Sequence, residues 1–247
     1  MAIWAIADIH ASRTDPLSGQ PSKPMDIFGD QWKGHLQRLR DAWVSDVQET
    51  DTIIVAGDID WALHLDDARE TLELLASLPG EKILIRGNHD YWWSSKTTNR
   101  VRRALPPTLS LLHNNAFVRE GFNICGAKGS PVPGSIDWTP SDEKILNREV
   151  GRLEESLRQR DAALETIVAM HYPPFYRGHP ASPYRDVLEQ HGVQLCVYGH
   201  LHGGAAASGP QGAHGGIGYM LVAGDAVDFH PVLLASKGTL SKVSQSA

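Results

Sequence analysis

The chain has 247 residues, 41% of them hydrophobic and 21% charged, with 23 Lys plus Arg against 29 Asp plus Glu for a formal charge of −6. A globular composition at this length buries roughly three quarters of the unfolded surface, which excludes a fibre, a disordered tail and a disulfide-stapled miniprotein. Net acidity, with the basic residues scattered apart from Arg100, Arg102 and Arg103, argues against broad non-specific nucleic-acid binding.

In chain order, the β-branched run at 3–7 predicts a strand that meets Asp8 at once. It is too short for a signal-peptide core, and no later run approaches the roughly 20 apolar residues that span a bilayer, so the expectation is a cytoplasmic protein with no membrane partner. A Gly- and Ser-containing loop at 11–29 leads to a helix at 31–49, with Asp30 as the expected N-cap. Strands at 52–56 and 82–86 flank a helix at 66–78. Shorter strands at 109–112, 116–118 and 122–125, separated by Asn114-Asn115 and a Gly turn, have the form of hairpins. A Gly- and Pro-rich loop at 128–140 precedes a helix at 141–161, with Ser141 as its expected cap. Strands at 166–170 and 194–198 bracket a helix at 183–191, and a loop at 203–216 precedes a further hairpin-type strand at 218–222.

Short strands alternating with amphipathic segments indicate a layered α/β fold. With no repeat and no linker, one domain over 1–247 is expected. Cys125 and Cys196 each lie in a hydrophobic run and are expected to be buried free thiols. Nothing in the sequence fixes the oligomeric state.

Each of the five longer β runs ends in metal-capable side chains: Asp8 and His10, Asp58, Asn88 and His89, His171, and His200 and His202. Sites in open α/β sheets form beyond the carboxyl ends of the strands, so residues far apart in sequence can converge there. The pairs Asp8/His10 and His200/His202 are spaced i, i+2, which in extended backbone puts both side chains on one side. Gly57, Gly87 and Gly199 precede three of the clusters, where a residue without Cβ permits a sharp turn and close approach to an ion or phosphate.

Taken together, D-x-H, G-D, G-N-H-D, H and G-H-x-H stand in one order from Asp8 to His202, and the chain resembles the calcineurin-like metallophosphoesterases. The resemblance implies a four-layer α/β/β/α sandwich of two mixed sheets with a dinuclear metal centre at one edge. It assigns Asp8, His10 and His202 to one ion, Asn88, His171 and His200 to the other, and Asp58 as the bridge. The implied reaction is hydrolysis of a phosphomonoester or phosphodiester by in-line attack of a bridging hydroxide. His89 would stabilise the transition state or protonate the leaving oxygen, held by Asp90. Two divalent ions outweigh the charge of Asp8 and Asp58 and leave the centre positive toward a small phosphate-ester substrate. Imidazole, carboxylate and amide ligands without thiolate favour Mn²⁺, with Fe, Zn²⁺ or Co²⁺ as alternatives.

Trp61, Tyr91, Trp92 and Trp93 beside these motifs are either a wall of the substrate pocket or packing beneath the loop. Asp60 is either a partner of a ligand histidine or a helix-start acid. His64 is expected at the surface, as is Arg177 unless it contacts phosphate; the 128–140 loop with Trp138 is a candidate cover for the pocket. His35, His113, His179, His191, His214 and His230 fit no motif and are expected to be structural or solvated. Two rival functions are a non-catalytic protein-binding scaffold, which would normally have lost one of these side chains, and a nuclease, which would want a basic groove. Nucleic acid enters only as a possible substrate.

Overall fold

The computed structural model describes residues 1–242. Twelve strands form two six-stranded sheets. The first contains β1 (Ala2–Ile6), β2 (Thr52–Ala56), β3 (Glu81–Ile85), β4 (Leu109–Leu111), β11 (Val232–Ser236) and β12 (Thr239–Leu240), ordered β12-β11-β1-β2-β3-β4. The second contains β5 (Phe117–Arg119), β6 (Phe122–Ala127), β7 (Thr166–Met170), β8 (Leu195–Tyr198), β9 (Gly212–His214) and β10 (Ile217–Leu221), ordered β5-β6-β7-β8-β10-β9. Both are mixed: β1 runs parallel to β2 and antiparallel to β11, and β10 runs parallel to β8 and antiparallel to β9.

The period-2 alternation of each strand divides its side chains between two layers. In β2, Ile53 and Val55 pack outward with Leu39 and Trp43 of α1 (His35–Asp46), Leu72 and Leu75 of α2 (Arg69–Ser77) and Val101 of α3 (Thr98–Ala104). Ile54 and Ala56 face inward, where they join Ile124, Ile167, Ala169 and Val197 of the second sheet. On that sheet's outer face, Val168 and Cys196 pack with Leu153 and Leu157 of α4 (Glu143–Arg158) and with Val187 and Leu188 of α5 (Pro183–Gln190). These four layers, α/β/β/α, are the architecture expected from the motifs. Cys125 and Cys196 are both free and buried, and burial pushes the Cys125 thiol up to about 11.

Several local expectations are corrected. The expected 31–49 helix starts instead with a 3₁₀ turn, Asp30–Trp32, preceded by another at Asp26–Phe28 in the expected 11–29 loop, and α1 begins only after Gly34, whose φ of 59° breaks the run. Asp30 therefore caps no α-helix. Ser141 does not cap α4; Thr139 forms a capping box with Asp142 over a 3₁₀ turn that runs into it. The hairpin expectation holds for β5 with β6 and for β10, which pairs antiparallel with β9 across Gly215-Gly216, but not for β4, which adds parallel to β3. Part of the 203–216 loop is ordered as a 3₁₀ turn and β9, while α3, β11 and β12 lie where no element was expected. Among the described residues no helix is long and apolar enough to cross a membrane.

The five motif-bearing strands do not share one sheet: β1, β2 and β3 belong to the first, β7 and β8 to the second. The sheets meet at the motif end, where Ala7 pairs with Ala223 and its N–H donates to the Val222 carbonyl at 2.8 Å. Two rows of carboxyl strand ends thus face one another across a single edge.

Candidate metal centre

Beyond β1 the backbone turns out of extended geometry at once. Asp8, His10, Asp58 and His200 all have φ between 48° and 72°, a left-handed conformation unusual for residues other than Gly, Asn and Asp, and backbone strain of this kind gathers at functional sites. Asp8 and His10 therefore face the same centre through two left-handed turns, not through the extended i, i+2 geometry expected. Three glycines make room for this. A Cβ at Gly57 would lie 2.5 Å from His171 Nδ1, one at Gly87 2.0 Å from Asp58 Oδ1, and one at Gly199 2.3 Å from Asp8 Oδ2.

All seven expected ligands converge. Ligand atoms of Asp8, His10 and His202 lie within 4.8 Å of one another, as do those of Asp8, Asp58 and His171. Asp58 stands between the two imidazole groups, with Oδ2 3.7 Å from His10 Nε2 and Oδ1 3.5 Å from His171 Nε2. Asn88 Oδ1 lies 2.7 Å from His171 Nε2 and 3.0 Å from His200 Nδ1.

Tests of fit with a cation come from the hydrogen bonds. His171 Nδ1 donates to the Ala56 carbonyl at 3.1 Å, which leaves Nε2 as a lone pair aimed at the oxygens of Asn88 and Asp58. His202 Nδ1 donates to Asp225 Oδ1 at 2.7 Å, leaving its Nε2 3.2 Å from Asp8 Oδ1. That Asp8 oxygen is fully buried and has no hydrogen-bond partner. Lone pairs converging on one another in a buried place are reconciled by a positive ion held between them.

The charge states agree at His10, His171 and His200 but not at His202 and Asp58, which without a cation favour their protonated forms. Burial pushes His10 down to about 3, His200 down to about 4 and His171 well below its ordinary value, so all three stay in the neutral form that binds metal. Burial also opposes charge on His202, but the carboxylates of Asp8 and Asp225 outweigh it and push that histidine up to about 10, leaving it the one imidazole of the set that a metal ion must strip of a proton. Burial raises Asp58 well above its ordinary value, with the charges of Asp8 and Asp90 adding to the effect.

Asp90 does not hold His89. Its Oδ1 accepts from the Ile59 and Asp60 amides and the Trp92 indole, and its Oδ2 accepts from Gly87 N at 2.7 Å, so it ties the G-D loop to the G-N-H-D loop. His89 instead has Nδ1 3.1 Å from the Tyr91 hydroxyl and Nε2 3.9 Å from Asp58 Oδ2. The aromatic cluster divides between its two expected roles. Trp92 and Trp93 are core residues, whereas Trp61 stacks on His10 with ring centroids 5.0 Å apart and lies 4.1 Å from His89. Asp60 takes neither expected role: it accepts from Ala62 N and the Thr71 hydroxyl and secures the start of the loop toward α2. His64 and Arg177 are exposed, and Trp138 packs on the second core.

Asp225 was missed, although its signal was present: Gly224-Asp225 follows a strand just as Gly57-Asp58 does. It fixes the His202 ring and also accepts from Gly203 N at 2.9 Å. Trp32, expected on a helix face, instead meets the His10 and His202 rings edge-on at 5.6 Å and 5.4 Å.

Comparison with known proteins gives the same direction. The model of a family described as calcineurin-like phosphoesterase matches residues 1–204. An uncharacterized metallophosphoesterase from Helicobacter pylori is 23% identical over 159 residues, 64% of this chain, which spans only 37% of that relative's length. A solved protein of unknown function from Aquifex aeolicus is similar with a TM-score of 0.52 at 16% identity, covering 94% of this chain and 95% of its own. Phosphopantetheinyl hydrolase from Mycobacterium tuberculosis is similar with the same score and identity, covering 90% and 88%. At that identity these two likenesses concern the fold alone.

Proposed function

The chain belongs to the calcineurin-like phosphoesterases, a family of metal-dependent phosphoester hydrolases, and from that premise we propose that it holds two divalent ions and hydrolyses a small phosphate ester, as a monoesterase or a diesterase. Asp8, His10 and His202 would hold one ion, Asn88, His171 and His200 the other, with Asp58 between them. The observation that carries this reading is the position of Asp58, with one oxygen turned to His10 of the first group and the other to His171 of the second. Ions bound there supply positive charge for a phosphate ester and acidify water for in-line displacement. Mn²⁺ is the ion we favour for activity in vitro, on the mixture of imidazole, carboxylate and amide donors.

The chain's own residues then have limited work. His89, with Nε2 3.9 Å from Asp58 Oδ2 and Nδ1 3.1 Å from the Tyr91 hydroxyl, would hold a proton for the departing oxygen. Asp90 keeps the two loops in register, and Asp225 keeps His202 turned inward.

The test is reconstitution of purified protein with Mn²⁺, followed by assay on 4-nitrophenyl phosphate, bis(4-nitrophenyl) phosphate, cyclic nucleotides and single-stranded DNA. We expect two ions per chain and turnover of a nitrophenyl ester that is lost on chelation and restored by metal. One ion per chain would remove the dinuclear reading. Two ions without turnover of any ester would favour a scaffold, and preferential cleavage of DNA a nuclease.

A further inference from the structure

Two cavities open on the proposed centre, both lined mainly by apolar surface, and they differ in the charged groups they carry. One, of about 590 Å³, carries Asp137, Arg177 and His179 beside His200 and His202. The other, of about 350 Å³, is walled by Met25, Phe28, Trp32 and Trp61 with Gln31, and its only ionisable groups are the inward-facing His10, His89 and His202. Lys23 lies 4.5 Å from the Trp61 ring centroid, but it lines the neighbouring cavity and not this one.

His89 decides how an ester sits between them. It belongs to the wall of the smaller cavity and is absent from that of the larger one. A proton donor must lie beside the oxygen that departs, within hydrogen-bond reach of it. Resting on the activity proposed above, we infer that the smaller cavity, whose wall holds His89 and no carboxylate, lysine or arginine, receives the leaving alcohol, and that the preferred substrate is a phosphate ester whose alcohol is uncharged and apolar next to the ester oxygen. A charged or polyhydroxylated alcohol would give up its hydration there and find in return the Gln31 amide, the indole N–H groups and no group of full charge outside the inward-facing histidines. Phe28 is 55% exposed at the cavity rim, an unfavourable place for a large aromatic side chain unless something covers it.

The test compares benzyl phosphate with glycerol 1-phosphate and O-phosphoethanolamine, each as the monoester and as its methyl diester, on Mn²⁺-loaded full-length protein. Glycerol is a more acidic alcohol than benzyl alcohol, so a preference for the benzyl ester cannot come from leaving-group basicity. We expect kcat/KM for the benzyl ester to exceed that for both polar esters at least tenfold, the scale on which apolar pockets discriminate. Phe28→Asp, at an exposed position, should fold normally and cut that ratio by about tenfold. Binding of benzylphosphonate and 2-aminoethylphosphonate, measured calorimetrically, gives a readout independent of turnover and should show the same order. Equal or reversed preference, or a ratio unmoved by Phe28→Asp, overturns the inference while leaving the hydrolase reading intact. Failure to hydrolyse any ester or bind either phosphonate overturns both.

Discussion

His202 Nδ1 lies 2.7 Å from Asp225 Oδ1, and the other oxygen of that carboxylate accepts from Gly203 N. The ring is thereby held with Nε2 toward Asp8, and the ligand arrives already oriented. Asp225→Asn keeps the shape and one acceptor but removes the charge. We expect metal affinity at that site to fall about 10- to 100-fold, measured by titration of the chelator-stripped protein, with the circular dichroism spectrum unchanged.

His89 contributes through a proton, so its value should depend on the alcohol expelled. His89→Asn is expected to lower kcat/KM for benzyl phosphate by about 10²- to 10⁴-fold and to affect 4-nitrophenyl phosphate much less, because nitrophenolate departs unprotonated. Tyr91→Phe, which removes the hydroxyl beside Nδ1, should give a weaker version of the same pattern. A slope of rate against leaving-group pKa that is no steeper in His89→Asn than in the wild type contradicts the role.

Gly87 is a steric requirement. A methyl group there would sit 2.0 Å from Asp58 Oδ1 and 2.2 Å from its backbone N, and backbone cannot step aside. Gly87→Ala should cost about 2–4 kcal/mol and lower Tm by several degrees, with loss of bound metal. Gly151 supplies the control, since it lies within α4 with nothing near its missing Cβ. Gly151→Ala should hold or raise Tm by removing helix-interior glycine.

Burial, reinforced by Arg152, Arg86 and Arg102, pushes His113 down to about 4 from an ordinary 6.5. The fold therefore prefers its neutral form. The contribution is complete above about pH 6.5 and lost as pH falls toward 4, where the unfolded chain binds the proton first. Between pH 7 and 4.5 the wild type should lose on the order of 1–3 kcal/mol more unfolding free energy than His113→Gln. Urea melts on metal-free samples of both proteins measure this, and taking the difference cancels the titration of the metal-site histidines.

The convergence of the seven proposed ligands was legible in the sequence because each stands close after an apolar, strand-forming run, so that strand ends bring them together. Gly57, Gly87 and Gly199 were legible for a related reason: each stands beside a group that leaves no space for Cβ. The partition of the strands was hidden. β1 and β8 are equally apolar, and only long-range pairing assigns them to different sheets. The start of α1 was misjudged because the apolar spacing runs on through Asp30–Trp32, and the break is a backbone event at Gly34. Asp90 was given to its neighbour in sequence, but its carboxylate turns back to the amides of Gly87, Ile59 and Asp60. Local hydrogen bonding prevailed over proximity to the reacting atoms.

The pairing of Ala7 with Ala223 also bears on how the protein matures. During synthesis Asp8 and His10 leave the ribosome well before His202 and Asp225, and β1 waits for β11 to complete its second edge. The donors proposed for the two ions therefore cannot all gather until the segment carrying His200 and His202 has been made, and the earlier ones wait through that interval as an incomplete chelator.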